Sequence, residues 1–227
     1  KQAYESIKEN IRSSLFIEIK EKGLSGGKLS VINGLLKLRQ ACNSCELVKD
    51  EDLFTYDSVK TNVLIEELKN IISTHKALVF SQFTSMLDLL QRDFTKNNIA
   101  YLRLDGNTPV NERQDLVNRF QENDSTEKVF LISFKAGNAG LNLTAADYVF
   151  LFDPWWNTAV QQQAIDRTHR IGQTKTVFAY NMVCKNTIEE KIIQLQQRKK
   201  KLADELVTQE ESFVKGLTED DIEFLFS

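Results

Sequence analysis

The stretch VFLISFKAGNAGLNLTAADYVFLFDPWWN, Val129 to Asn157, decides how the chain folds. It holds two apolar runs, Val129 to Phe134 and Tyr148 to Phe152, too short for helices and lacking the alternation of a half-exposed strand. Such runs read as strands buried on both faces. Moving upstream, ALVFS at Ala77 to Ser81 is a third run of this kind and Tyr101 to Leu104 a further strand; downstream, Thr176 to Val183 is another. Helical patterns fall between them, at Ser58 to Ser73, Met86 to Phe94 and Pro109 to Gln121. The last has Thr108 as its expected N-cap and Pro109 at its first position. Strand and helix alternating at this spacing predict an α/β fold, a parallel sheet covered by helices, with function at the carboxyl ends of the strands.

The flanks are helical. Residues 1 to about 22 carry Tyr4, Ile7, Ile11, Leu15 and Ile19 on one stripe, Gly23 to Gly27 breaks the pattern, and Lys28 to Ala41 resumes it with Val31, Leu35 and Leu38. Asn43 to Asp57 is a polar, acidic connector. At the other end a long helix starts at an expected capping box of Thr187 and Glu190 and runs on a seam of Ile188, Ile192 and Leu195. Its cationic run Arg198 to Lys201 reads as a solvated face or a nucleic-acid contact. The tail LTEDDIEFLF predicts a short terminal helix. Beginning within a helix at Lys1, with no initiator Met, the sequence reads as a piece of a longer protein.

At 227 residues and 41% hydrophobic content the chain can bury a sizeable core, and 14 Phe against 9 Gly and 2 Pro argues against an all-β sandwich. A net charge of −3 does not decide for or against nucleic acid, because phosphate contact needs only a local basic groove. No apolar run reaches membrane-spanning length, so no membrane partner is expected. Three cysteines cannot make a disulfide framework, and an intracellular, reducing compartment is expected. Cys42 and Cys45 form a C-x-x-C, but no second ligand pair follows at zinc spacing. They are read as small buried hydrophobes, and no metal site is assigned.

Two loops carry candidate chemistry. Phe134 to Asn142 follows a buried strand and contains Gly137 and Gly140, which allow close backbone approach to a phosphate; many α/β loops need such glycines for steric reasons alone. Asp153-Pro154-Trp155-Trp156-Asn157 puts two tryptophans in one turn, so one is a candidate platform for a base or sugar. Beyond it, at about 100° per residue, Gln163, Arg167 and Arg170 fall within about 60° of one another around a helix. Two guanidiniums on one face suggest an external anion; an ordinary surface helix with cations near its C-terminal end is the alternative.

Taken together, ALVFSQFTSMLDLL, YLRLDGNT, SFKAGNAGLNLTAAD, DPWWN and QQAIDRTHRIGQ resemble the second-lobe motifs of the Swi/Snf-type ATPases, superfamily-two motors that move on double-stranded DNA. The resemblance runs from about Ser58 to the C-terminus, and the ending is similar to that of bacterial members. It implies a RecA-like lobe at 58–185, a helical protrusion and inter-lobe connector at 1–57, and a bracing helix with a short terminal helix at 186–227. By resemblance, Gln163, Arg167 and Arg170 belong to the motif whose arginines reach the γ-phosphate of ATP, and Gly140, Asn142 and Asp166 lie at the nucleotide cleft. Ser81, Gln82, Phe83, Lys135, Ala136 and Trp156 match DNA-contacting positions. Asn138-Ala139 and Thr158 depart from the usual residues of their motifs.

The resemblance further implies ATP with Mg2+ held mainly by an upstream RecA-like lobe, because no G-x-x-x-x-G-K-[ST] occurs here. It also implies double-stranded DNA as partner, a monomer, and a cytoplasmic, nucleoid-associated location in a bacterium or a nuclear one in a eukaryote. A non-catalytic binding module and a strand-separating helicase remain alternatives. A dinucleotide-dependent enzyme is disfavoured, since no G-x-G-x-x-G follows a strand.

Overall fold

The central strand β1 (Ala77–Ser81) is buried along its whole length and pairs in parallel on both sides, with β3 (Val129–Ser133) and β4 (Tyr148–Leu151). Two more strands, β2 (Tyr101–Leu104) and β5 (Phe178–Asn181), complete a five-stranded, all-parallel sheet of order β2-β3-β1-β4-β5. The computed structural model describes residues 1–48, 58–137, 140–153, 158–170, 172–202 and 216–227. They divide into two compact units, Val59–Met182 and Lys1–Ser58 with Val183–Ser227.

In the sheet unit, helices α2 (Val59–Ile71), α3 (Thr84–Lys96) and α4 (Val110–Gln121) alternate with the strands. Each buries the stripe its spacing predicts: Leu64 and Leu68 on α2, Met86, Leu87, Leu90 and Phe94 on α3, Val117 and Phe120 on α4. Phe80, Leu104, Phe130, Ile132 and Leu151 meet Phe120 in a continuous core, with the Phe120 and Phe130 rings 5.1 Å apart. Parallel strands with helical crossovers send every strand out at the same edge, which is why the loops after β1, β3 and β4 gather there.

Three local expectations need correction. Helix α4 begins one residue later than expected, with Pro109 at the N-cap position, because the Thr108 hydroxyl is taken by the Asp105 backbone N–H at 3.0 Å. Phe134 leaves the strand and opens a single helical turn, α5 (Phe134–Gly137). The fifth strand is shorter than Thr176 to Val183, and it is exposed along its length, being an edge strand. Aromatic pairs across β4 and β5, Tyr148 with Phe178 and Phe150 with Tyr180, cover part of it at 5.2 and 5.4 Å.

In the helical unit, α1 (Gln2–Asn43) bends at Gly23, whose φ of 70° and ψ of 171° no helix allows. The bend reverses the chain. Ser30 hydrogen-bonds Glu18, two residues that twelve positions of continuous helix would hold about 18 Å apart. A 3-10 turn, Cys45–Leu47, follows. Next come α7 (Ile188–Leu202) and α8 (Glu219–Phe226), the latter capped reciprocally by Thr218 and Asp221. Tyr4 ties the unit's two ends together by accepting the Ile188 N–H at 2.7 Å. The capping box expected at α7 is offset: Glu190 accepts from Asn186, not Thr187, and the Thr187 hydroxyl accepts from Glu189. Asn186 adopts a positive φ of 58°, which turns its own N–H toward the helix.

Phe130 is fully buried on β3, between β2 and β1. Phe130→Ala should therefore cost about 3–5 kcal/mol in a urea titration of the sheet unit, as large-to-small core changes do.

Candidate functional site

Asp153 organises the carboxyl edge. It is fully buried just past β4; its carboxylate accepts the Ser81 hydroxyl and, at 3.0 Å, the Gln82 backbone N–H. The Ser81 hydroxyl in turn accepts the Phe83 N–H at 3.1 Å. The loop after β1 is thus clamped to the end of β4 at adjacent positions. Ser81 is buried, so its side chain serves this clamp; Gln82 and Phe83 are half-buried, and the Gln82 side-chain nitrogen is buried without a hydrogen-bond partner among the described residues. From below, the buried Lys60 donates to the Phe152 carbonyl at 3.0 Å.

After β3, Ser133 accepts the Ala136 N–H at 3.3 Å and tightens α5. Ala136 is buried and Lys135 projects into solvent. Gly140 has a φ of 73° with open space where a Cβ would stand, so glycine is required there by conformation and not by crowding. Asn142 is exposed, and its carbonyl accepts from Gln121 at 3.3 Å.

Helix α6 (Thr158–Ile165) ends before the arginines, which corrects the single helical face expected for Gln163, Arg167 and Arg170. The reason is a tightened last turn. Arg167 and Thr168 donate to carbonyls three residues back, Ala164 and Ile165, and the Thr168 hydroxyl takes the Ile165 carbonyl at 2.6 Å. Gln163 remains exposed on the helix, and Asp166 is exposed and accepts from Gln162 at 2.9 Å. Arg167 turns inward to only 9% exposure, whereas Arg170 stays exposed.

The turn joins the two arginines to the glycine loop. Leu143 donates its N–H to the Arg167 carbonyl at 3.0 Å, and Arg170 Nη1 reaches the Gly140 carbonyl at 3.1 Å. Gln173 secures the far side, its side-chain nitrogen touching the carbonyls of Thr144, Ala146 and Thr168 at 3.0–3.1 Å. The Nε of Arg167 is buried and has no hydrogen-bond partner among the described residues. Burial and the like charge of Arg170 hold its guanidinium pKa below the ordinary value, with Asp166 opposing. A desolvated guanidinium beside a second cation is an anion site in waiting.

Gly140, Arg167 and Arg170 are therefore brought together; Ser81, Gln82 and Phe83 form a second cluster with Asp153. Trp155 and Trp156, together with Asn138 and Ala139, lie outside the described residues. Asp153, Gln173 and Lys60 were not singled out by sequence reasoning. An acid directly following the buried run YVFLF was the available signal for Asp153, because a carboxylate there needs donors.

Residues 59–172, half of the chain, match the family described as "Helicase conserved C-terminal domain". The chain belongs to this family. The architecture of this helicase C-terminal domain is that of the "SWI2/SNF2 ATPase core domain" of Sulfolobus solfataricus, with a TM-score of 0.81 at 29% identity over 99% of this chain and 46% of that one. It matches the "SWI2/SNF2 ATPase core in complex with dsDNA" of that organism at 0.77, again at 29% identity, over 99% of this chain and 47% of that one. It is a RecA-like lobe of the Swi/Snf type. Among protein sequences, it is 38% identical over 215 residues to an uncharacterized ATP-dependent helicase of Mycoplasma genitalium, covering 92% of this chain and 20% of that protein. It is 46% identical over 151 residues to the DNA repair protein RAD5 of Cryptococcus neoformans, covering 65% of this chain and 12% of that protein. The chain thus spans a fifth or less of the length of these two relatives. Among the described residues, no helix is long and apolar enough to cross a membrane.

Asp153→Ala strands the Ser81 hydroxyl and the Gln82 N–H in the interior. It should destabilise the domain by about 1–3 kcal/mol, read by urea titration, and speed hydrogen exchange at Gln82. Asp153→Asn retains one acceptor oxygen and should cost less.

Proposed function

We propose that this chain is the second motor lobe of an ATP-dependent translocase or remodeller acting on double-stranded DNA. The observation that carries the proposal is Arg167, a mostly buried guanidinium whose Nε has no hydrogen-bond partner among the described residues, held in one turn with Arg170, whose side chain is stitched to the Gly140 loop. Arg167 and Arg170 act as arginine fingers on the γ-phosphate of ATP brought by an upstream RecA-like lobe of the same polypeptide. Fixed positive charge there stabilises the transferring phosphoryl group. Gln163, exposed on α6, faces the same nucleotide, with Gly140, Asn142 and Asp166 lining the cleft around it.

The clamp at Asp153 supports the DNA-tracking part of the proposal. It presents the loop of Gln82 and Phe83 as a rigid unit, with Ser81 positioning the backbone, while Lys135 supplies a free-standing cation and Ala136 packs the base of its turn. Trp156 is proposed as a stacking neighbour of the DNA strand. Contacts of this kind track phosphates and carry no base preference. The lobe corresponds to residues 58–185, flanked by the protrusion and connector at 1–57 and the bracing helices at 186–227, and the protein works as a monomer wherever its DNA resides.

Mg2+ does not fit the ligand cluster that the described residues offer. Among the described residues the clustered potential ligands are Cys42, Cys184 and Glu189, a sulfur-rich set unsuited to a hard cation. The ion is therefore assigned to the upstream lobe, and the arginines supply only positioning and charge.

In the protein carrying both lobes, Arg170→Ala or Arg167→Ala should lower DNA-stimulated ATP turnover by about 10³–10⁵-fold while DNA affinity changes little. Unchanged turnover would favour a non-catalytic binding module. The 227-residue chain alone should show no DNA-stimulated hydrolysis. Comparing strand displacement with triplex displacement separates a duplex translocase, which removes only the third strand, from a strand-separating helicase.

A further inference from the structure

We propose that Cys42, Cys184 and Glu189 form a binding site for a zinc-class divalent metal ion. Cys42 stands at the end of α1, Cys184 just ahead of α7, and Glu189 in the first turn of α7. Two thiol sulfurs and a carboxylate oxygen from these residues lie within 4.8 Å of one another, although Cys42 and Cys184 are 142 positions apart. In a tetrahedral zinc site with Zn–S near 2.3 Å, neighbouring sulfurs stand about 3.8 Å apart, so closure needs a shift of at most about 1 Å. Soft sulfur with one carboxylate selects zinc and similar ions over magnesium or calcium.

The surroundings suit a resident ion. Glu189 is fully buried and Cys42 nearly so, while Cys184 is half-buried and gives access. The ligands are held by their own backbone: the Cys184 N–H donates to Glu189 Oε2 at 2.9 Å, and the Thr187 hydroxyl donates to the Cys184 carbonyl at 2.7 Å. Such outer contacts orient ligands before the ion arrives. Binding leaves the charge of the buried group unchanged, since one divalent cation enters as two thiol protons leave. Three protein ligands leave a fourth position for water. The site joins the two ends of the helical unit, shares no residue with the arginine loops, and is independent of the motor reading.

The test uses the reduced 227-residue protein, stripped with chelator and titrated with Co2+ and Zn2+. The expected result is one ion per chain, visible d–d and thiolate charge-transfer bands with Co2+, and a rise in Tm with Zn2+ that chelator reverses. Glu189→Gln, Cys42→Ser and Cys184→Ser, each checked for folding by circular dichroism, should weaken binding by more than the roughly 10–100-fold lost on removing an outer-shell partner. Cys45→Ser should leave it unchanged. The proposal is overturned if the reduced wild-type protein gives no Co2+ bands and no Zn2+-dependent Tm, or if the signal follows Cys45 and survives Cys184→Ser.

Discussion

Parallel pairing of β1 between β3 and β4 is the constraint on which everything else rests. A strand buried on both faces and hydrogen-bonded on both sides cannot leave its place without exposing its whole apolar set and breaking two ladders. With the register fixed, Ser81 stands opposite Ser133, and Phe80 opposite Leu151, so the loops that follow are adjacent before any of their own contacts form. The Asp153 clamp and the stitching of Gly140 and Leu143 to the 167–170 turn then refine positions that the sheet has already set.

The energetic signature of the site is a cost left standing. A buried donor without a partner costs about 1–3 kcal/mol, and the like charge of Arg170 adds to it. A core selected for stability alone would supply an acceptor for Arg167, as Asp105 does for Arg103 on β2 at 2.8 Å. The proposed return is larger than the cost: a finger's contribution of about 10³–10⁵ in rate corresponds to roughly 4–7 kcal/mol at the transition state. Leaving the Arg167 Nε without a partner among the described residues is therefore a sensible use of stability if an anion arrives during turnover.

Much of this was legible in the sequence because it depends on local pattern. Apolar runs located β1, β3 and β4, and the glycines from 23 to 27 and the LTEDDIEFLF tail located the region of the helix bend and the terminal helix. What could not be read depended on partners distant in the chain. Thr108 looked like a cap until Asp105 claimed its hydroxyl, and the 163–170 face looked helical until Thr168 closed the helix at Ile165. Cys42 was judged beside Cys45, its sequence neighbour, whereas folding brings it to Cys184. The roles proposed for the arginines rest on the family resemblance; spacing alone favoured a surface helix.

The most direct test is a crystal structure of the protein with its upstream lobe, bound to ADP and aluminium fluoride as a mimic of the transferring phosphoryl group. The account predicts the Arg167 and Arg170 guanidiniums within about 2.7–2.9 Å of fluoride ligands at the γ position, with the Gly140 loop still stitched to the 167–170 turn. Guanidiniums turned away from the closed cleft, with the phosphoryl mimic held wholly by the other lobe, would contradict it.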